Sequence, residues 1–160
     1  MFREGRFYPG LVVRPSVAND VNLLVANIRY ADDAENVAAG YSSRHAAWRS
    51  YRASITSMSA FVDGEMAAMW GMAGSPLGSV GRPWLMTTPV VERVKKSMVR
   101  VGAIEVGRML EICPRLEGCV DATYLGACRL LEVWGFQLGE IELIGPMSRP
   151  FRRYTMTKEG

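Results

Sequence analysis

Histidine occurs once in this chain, at position 45, and cysteine three times, at 113, 119 and 128. No Cys-x-x-Cys pair is present, so a zinc site lacks its ligands. An odd number of widely spaced thiols gives no disulfide framework either, and the reading is of reduced, buried cysteines in a cytoplasmic setting. No apolar run reaches the roughly 20 residues that a membrane span needs. Residues 1–10 mix Arg3, Glu4 and Arg6 with aromatics and lack the apolar stretch of a signal peptide, so none is expected. An excess of one sign of charge is lacking as well. The formal net charge is +3, too little to argue for nucleic acid or a membrane surface by itself. No repeat or low-complexity segment stands out.

What is present suits one folded domain. The chain has 160 residues, 49% hydrophobic and 22% charged, enough for a single core but not for two comfortable ones. Leu11 to Arg14 reads as a strand that stops at Pro15. Asp20 suits an N-cap for a helix carrying Val21, Leu24, Val25 and Ile28 on one face. A short helix follows over 33–39, ended by Gly40, and Ser42 or Ser43 caps another over 44–53. Asp63-Gly64 then makes the tight turn of a hairpin between strands 57–62 and 65–72, with Met66, Ala68, Trp70 and Met72 on one face. Residues 73–83, rich in glycine and proline, read as a loop.

The stretch 81–136 carries most of the functional signal. A strand over 84–88 feeds a helix over 90–113, for which Thr88 is a good N-cap and Pro89 a good first residue. Pro114 ends that helix. A strand over 118–122 follows, then a helix capped by Thr123, carrying Tyr124, Ala127, Cys128, Leu131 and Trp134 on one face and stopped by Gly135. Strands over 140–144 and 152–157 close the chain. A helix N-terminus at a strand exit is a place for phosphate, because unpaired N–H groups and the helix dipole face the ligand. The order of elements predicts a mixed α/β sheet with helices on both faces.

That order resembles the GNAT fold of N-acetyltransferases over nearly the whole chain. Gly81-Arg82-Pro83-Trp84-Leu85-Met86-Thr87-Thr88, Val91-Glu92-Arg93, Val120-Asp121-Ala122, Trp134-Gly135-Phe136, Arg149-Pro150-Phe151 and Tyr154-Thr155-Met156-Thr157-Lys158 look like a GNAT-like family of short-tailed bacteriophages, which includes internal virion assembly proteins. The resemblance implies one GNAT-like α+β domain over 1–160, with a mostly antiparallel sheet. It also implies acetyl-CoA in a V-shaped gap beside the strand over 84–88, with its pantetheine on that strand's backbone and Met86, Thr87 and Thr88 among the binding residues. The pyrophosphate would sit on the next helix start, by Val91, Arg93, Lys95 and Lys96. Glu65 falls where such enzymes often place the base that deprotonates the substrate amine.

Departures from the pattern are as informative. The family's pyrophosphate loop is glycine-rich, yet no glycine lies between Thr87 and Val99, and Gly102-Ala103 comes too far into the helix. The Asn position of the last helix is Tyr124, and the general-acid tyrosine position is Leu131, which has no proton to give. Arg93, Lys95, Lys96 and Arg100 have two readings, as phosphate ligands or as the solvated side of a long helix. Glu65 has the same ambiguity at a solvated strand start. Glu105 falls in the apolar stripe of its helix and reads as Arg-paired, with Arg108 one turn on. The tryptophans and methionines read as core, His45 as a helix-surface or satisfied histidine, and the C-terminal arginines as a minor nucleic-acid signal.

Two functions follow as expectations. One is a bacteriophage acetyl-CoA-binding N-acetyltransferase with degenerate catalytic motifs, transferring an acyl group by direct attack of an amine. The other is a non-catalytic GNAT-like protein that acts in virion assembly through contacts with other phage structural or assembly proteins. The expected location is the host cytoplasm, in association with the virion on the second reading.

Overall fold

The computed structural model describes residues 8–29, 33–34, 42–75 and 77–159. Strand β1 (Leu11–Pro15) leads to helix α1 (Ala18–Ala26), and α2 (Ser43–Ala53) precedes the hairpin of β2 (Ser54–Val62) and β3 (Glu65–Gly74). Strand β4 (Val80–Thr87) runs through a 3-10 turn at Pro89–Val94 into the long helix α3 (Lys95–Ile112). Then come β5 (Arg115–Asp121), α4 (Leu125–Val133), β6 (Gln137–Ile144) and β7 (Arg149–Thr157). Local chemistry sets many of the joints. Asp63 and Gly64 take φ of 49° and 85°, the left-handed pair that a two-residue hairpin turn demands. The Ser42 hydroxyl accepts the His45 N–H at 3.1 Å and caps α2. Gly135 stops α4 at φ 101°.

Seven strands form one sheet in the order β1-β2-β3-β4-β5-β7-β6, antiparallel throughout except for the β4–β5 pair. Helices cover both faces. On one, α1 and α2 bury Val21, Leu24 and Ala47 against Met66, Met69 and Met86. On the other, α3 and α4 bury Val101, Val106, Met109 and Cys128 against Ala68, Trp70, Met72, Leu116 and Val120. A mixed sheet with helices on both faces is what the element order predicts, and its mostly antiparallel pairing is what the GNAT resemblance implies.

Several sequence expectations need correction. Asp20 is not the N-cap of α1; Val17 is. The Asp20 carboxylate instead reaches back to the Val17 N–H at 2.9 Å while holding Arg14 at 2.7 Å and the Ser59 hydroxyl at 2.9 Å. Met66 does not share a face with Ala68, Trp70 and Met72, because a register shift in the β2–β3 ladder between Ala60 and Phe61 turns it over to the α1/α2 side. Strand β4 begins at Val80, inside the expected loop. Gly81 belongs there because a Cβ on it would lie 2.3 Å from the Met72 sulfur. The expected helix over 90–113 opens as the 3-10 turn, with Val94 at φ −130° marking where the α-helix takes over.

Helix α4 is preceded by Tyr124 as N-cap rather than Thr123, whose N–H and hydroxyl both bond the Asp121 carboxylate. Of the cysteines, Cys113 and Cys128 are buried, but Cys119 is exposed on β5. The expected helix over 33–39 lies largely outside the described residues.

Candidate functional site

The β4–β5 ladder holds for two residue pairs, Val80 with Arg115 and Gly81 with Leu116. Beyond them β4 stays bonded to β3 as far as Thr87, and β5 to β7 as far as Asp121. A wedge-shaped gap therefore opens between two central strands, widening towards their C-terminal ends. Exposure agrees with the register. Leu85 is 37% exposed although β4 sits in the middle of the sheet.

Which backbone groups face the gap follows from the alternation of a strand. The Pro83 carbonyl turns away from β3 and accepts the Tyr154 hydroxyl at 3.1 Å. The Thr87 carbonyl turns the same way and accepts the Arg29 N–H at 2.7 Å. Leu85 lies between them with the same parity, so its N–H and C=O both point into the gap. One residue thus presents a donor and an acceptor to an extended, amide-bearing ligand.

Most of the phosphate-type donors expected at the strand exit are engaged within the fold. The Thr88 N–H bonds the Ala67 carbonyl at 3.0 Å, the Val90 N–H bonds Thr88 Oγ1 at 3.2 Å, and the Val91 N–H bonds the Thr88 carbonyl at 3.1 Å. Pro89 has no N–H. Thr88 itself is fully buried and donates its hydroxyl to the Met66 carbonyl at 2.6 Å. Met86 packs in the α1/α2 core.

The charged candidates divide. Arg93 and Glu65 meet in an ion pair at 3.0 Å, and Asp63 joins at 3.1 Å. A hydrogen bond with Tyr8, with the nearby Asp63 and Glu65 carboxylates, holds the Arg93 guanidinium above its ordinary range. Lys95 is bonded to Glu92 at 2.5 Å, and that bond together with Arg29 keeps the Glu92 carboxyl below its usual range. Lys96 is exposed and has no ion-pair partner among the described residues.

The other singled-out residues settle into the scaffold. Glu105 is buried, accepts the Trp70 indole N–H at 3.2 Å and pairs with Arg108 at 3.1 Å, so the Arg-paired reading holds. Leu131 packs against the core beside Trp134. Gly102 lies under the Trp134 ring, where a Cβ would come within 2.1 Å of it, and the indole N–H bonds the Val99 carbonyl at 2.9 Å. That glycine serves the packing of α4 on α3 and not a phosphate. Two shallow clefts of about 440 and 450 Å3 flank Trp48 on α2, where the Arg52 guanidinium stacks over its ring at 5.0 Å.

Residue-by-residue reading missed Leu85, Pro83 and Tyr154. Gly118, at the start of the expected strand over 118–122, was a signal, since a glycine in a strand marks a backbone that something large approaches, whereas Pro83 read as part of a loop.

No protein-family profile matches this sequence, and no curated protein matches it. Solved structures do. An acetyltransferase of the GNAT family from Bacillus anthracis superposes with a TM-score of 0.66 at 10% identity, over 94% of this chain and 96% of that one. The acetyltransferase of GNAT family from Streptococcus pneumoniae gives 0.61 at 13% identity, over 93% and 99%. RimL, a ribosomal L7/L12 alpha-N-protein acetyltransferase in complex with coenzyme A, gives 0.66 at 11% identity, over 95% and 96%. The chain has the GNAT fold.

Proposed function

We propose that this chain binds an acyl-CoA, acetyl-CoA in the first instance, in the gap between β4 and β5, and transfers the acyl group to an amine. The observation that carries the reading is the early end of the β4–β5 ladder, which leaves the Leu85 N–H and C=O facing an open wedge. A pantetheine arm has the amide groups to pair there, and one GNAT-fold neighbour is a coenzyme A complex. The fit is good for the arm and poor for a backbone cradle around the diphosphate, since the amides of Thr88, Val90 and Val91 are already bonded. The diphosphate grip therefore falls to side chains. Lys96 supplies it most directly, whereas Arg93 and Lys95 first have to leave their carboxylates.

A bound acyl-CoA supplies an acyl carbon activated as a thioester. The chain's own part is to position and exclude. Leu85 orients the arm, β4 and β5 wall it off from water, and the incoming amine has access along the gap. Glu65, tied to Arg93, we assign to holding that arginine rather than to taking a proton. The amine nitrogen would bond the acyl carbon as the C–S bond breaks, with coenzyme A leaving as a thiolate that takes the amine's proton. Leu131 donates none, so catalysis here rests on proximity, an order-of-magnitude contribution of about 7 kcal/mol or more when geometry is well set.

Calorimetry tests the reading. Acetyl-CoA should give saturable binding. Acetyl-pantetheine, which lacks the nucleotide, should bind within about tenfold of it, because the diphosphate grip is weak. Absence of binding by both compounds would sink the proposal.

A second reading, a GNAT-fold protein that works in phage virion assembly through protein contacts, is favoured by the other end of the sheet. Strand β6 is an edge strand, and Ile141 and Leu143 on it are 64% and 72% exposed. Ile141→Lys with Leu143→Lys would abolish such contacts while leaving acetyl-CoA binding unchanged.

A further inference from the structure

Tyr154 crosses the gap at its closed end. It stands on β7 opposite Gly118 of β5, and the ring fills the space where a glycine Cβ would be, 2.4 Å from the Tyr154 Cζ and Oη atoms. Phe136 meets the ring edge-on, with centroids 5.1 Å apart at 79°. The hydroxyl reaches over β5 to β4 and donates to the Pro83 carbonyl at 3.1 Å. The side chain is only 8% exposed. Pro83 has no N–H, and Tyr154 occupies its carbonyl, so β4 offers a ligand no backbone group at this depth. The next such residue outward is Leu85, about 7 Å further along the strand.

We propose that Tyr154 is the floor of the gap and limits the acyl group it accepts to short chains such as acetyl and propionyl. The inference rests on the acyl-CoA reading above. Charge fixes the direction of the ligand: the diphosphate must stay in water at the strand exit, near Lys96, so the neutral arm runs inward with its acyl end foremost. An acyl group carried past Leu85 then meets the Tyr154 ring, which Gly118, Phe136 and Pro83 hold in place. A side chain fixed on three sides yields little, so each methylene beyond the available length is excluded rather than accommodated.

The test is calorimetric and needs no turnover. Acetyl-, butyryl- and octanoyl-CoA are titrated into the wild type, Tyr154→Phe and Tyr154→Leu, with each variant's fold checked by thermal melting. The wild type and Tyr154→Phe, which keeps the ring, should favour acetyl- over octanoyl-CoA by about tenfold or more. Tyr154→Leu, which keeps an apolar contact over Gly118 but shortens the side chain, should bind octanoyl-CoA about tenfold tighter than the wild type does. A Tyr154→Ala variant gives the same comparison with the floor removed. Equal affinity of the wild type for acetyl- and octanoyl-CoA, or unchanged selectivity in a folded Tyr154→Leu, overturns the inference and leaves the acyl-CoA reading standing. No binding of any acyl-CoA overturns both.

Discussion

Gly102 and Asp20 show how much of a single residue's architectural role the fold adds to what its sequence position says. Gly102 lies too far into its helix to serve a phosphate loop, and its role comes from Trp134, which lies on it, a contact that nothing local in the sequence announces. Gly102→Ala should therefore destabilise the protein by about 2 kcal/mol through overpacking, read as a lower denaturant midpoint. Ala103, exposed beside it, should tolerate substitution to Ser with little change.

Asp20 was legible as a helix-start residue but not as the centre of a buried cluster, because Arg14 and Ser59 reach it from strands β1 and β2. Burial pushes its carboxyl up, yet bonds from Arg14, the Val17 N–H and Ser59 outweigh that and hold it below the ordinary aspartate range. A depressed folded-state pKa means that the stabilisation is present above the unfolded aspartate's range and is lost as pH falls through the folded value. Asp20→Asn should cost about 2–3 kcal/mol at neutral pH and progressively less below about pH 4. Urea denaturation at both pH values checks this. A difference independent of pH would place the effect outside the carboxylate's charge.

At the scale of elements, periodicity and turn chemistry were enough to locate helices α1 to α4 and the Asp63-Gly64 hairpin. Boundaries failed where tertiary contacts overrode local signals. Gly81 and Pro83 read as loop residues, but close packing against Met72 needs the glycine, and the stopped ladder tolerates the proline. The β3 register shift, which turns Met66 to the opposite face, leaves no trace in an alternating apolar pattern.

Thr88 is the joint between β4 and the 3-10 turn. It donates to the Met66 carbonyl, accepts the Val90 N–H and is fully buried. Thr88→Val keeps the shape but removes both bonds, leaving a buried carbonyl and an N–H unpaired, and should cost about 2 kcal/mol. The measurement is a denaturation curve. A cost near zero would mean that the strand exit is not held by this side chain.

For the whole molecule, the order of strands and helices made the sheet class, its two covered faces and the likeness to the GNAT fold readable. The resemblance implied a gap beside β4, but where the gap ends and what closes it were not readable. It arises from which strands stop pairing, a property of the assembled sheet, and its floor joins residues from β4, β5 and β7. Nor did sequence show that the expected phosphate-binding amides would be spent on Thr88 and Ala67, or that Arg93 and Glu65 would find each other.

The central claim is that an acyl-CoA arm pairs with β4 inside this gap, and Leu85 reports on it most directly. Backbone amide exchange, followed residue by residue by NMR with and without saturating acetyl-CoA, is the measurement. Leu85 N–H should exchange freely in the unliganded protein and slow about tenfold or more once a carbonyl of the arm accepts it, while the Trp84 and Met86 amides, facing β3, stay protected throughout. An unchanged Leu85 rate in acetyl-CoA would contradict the claim.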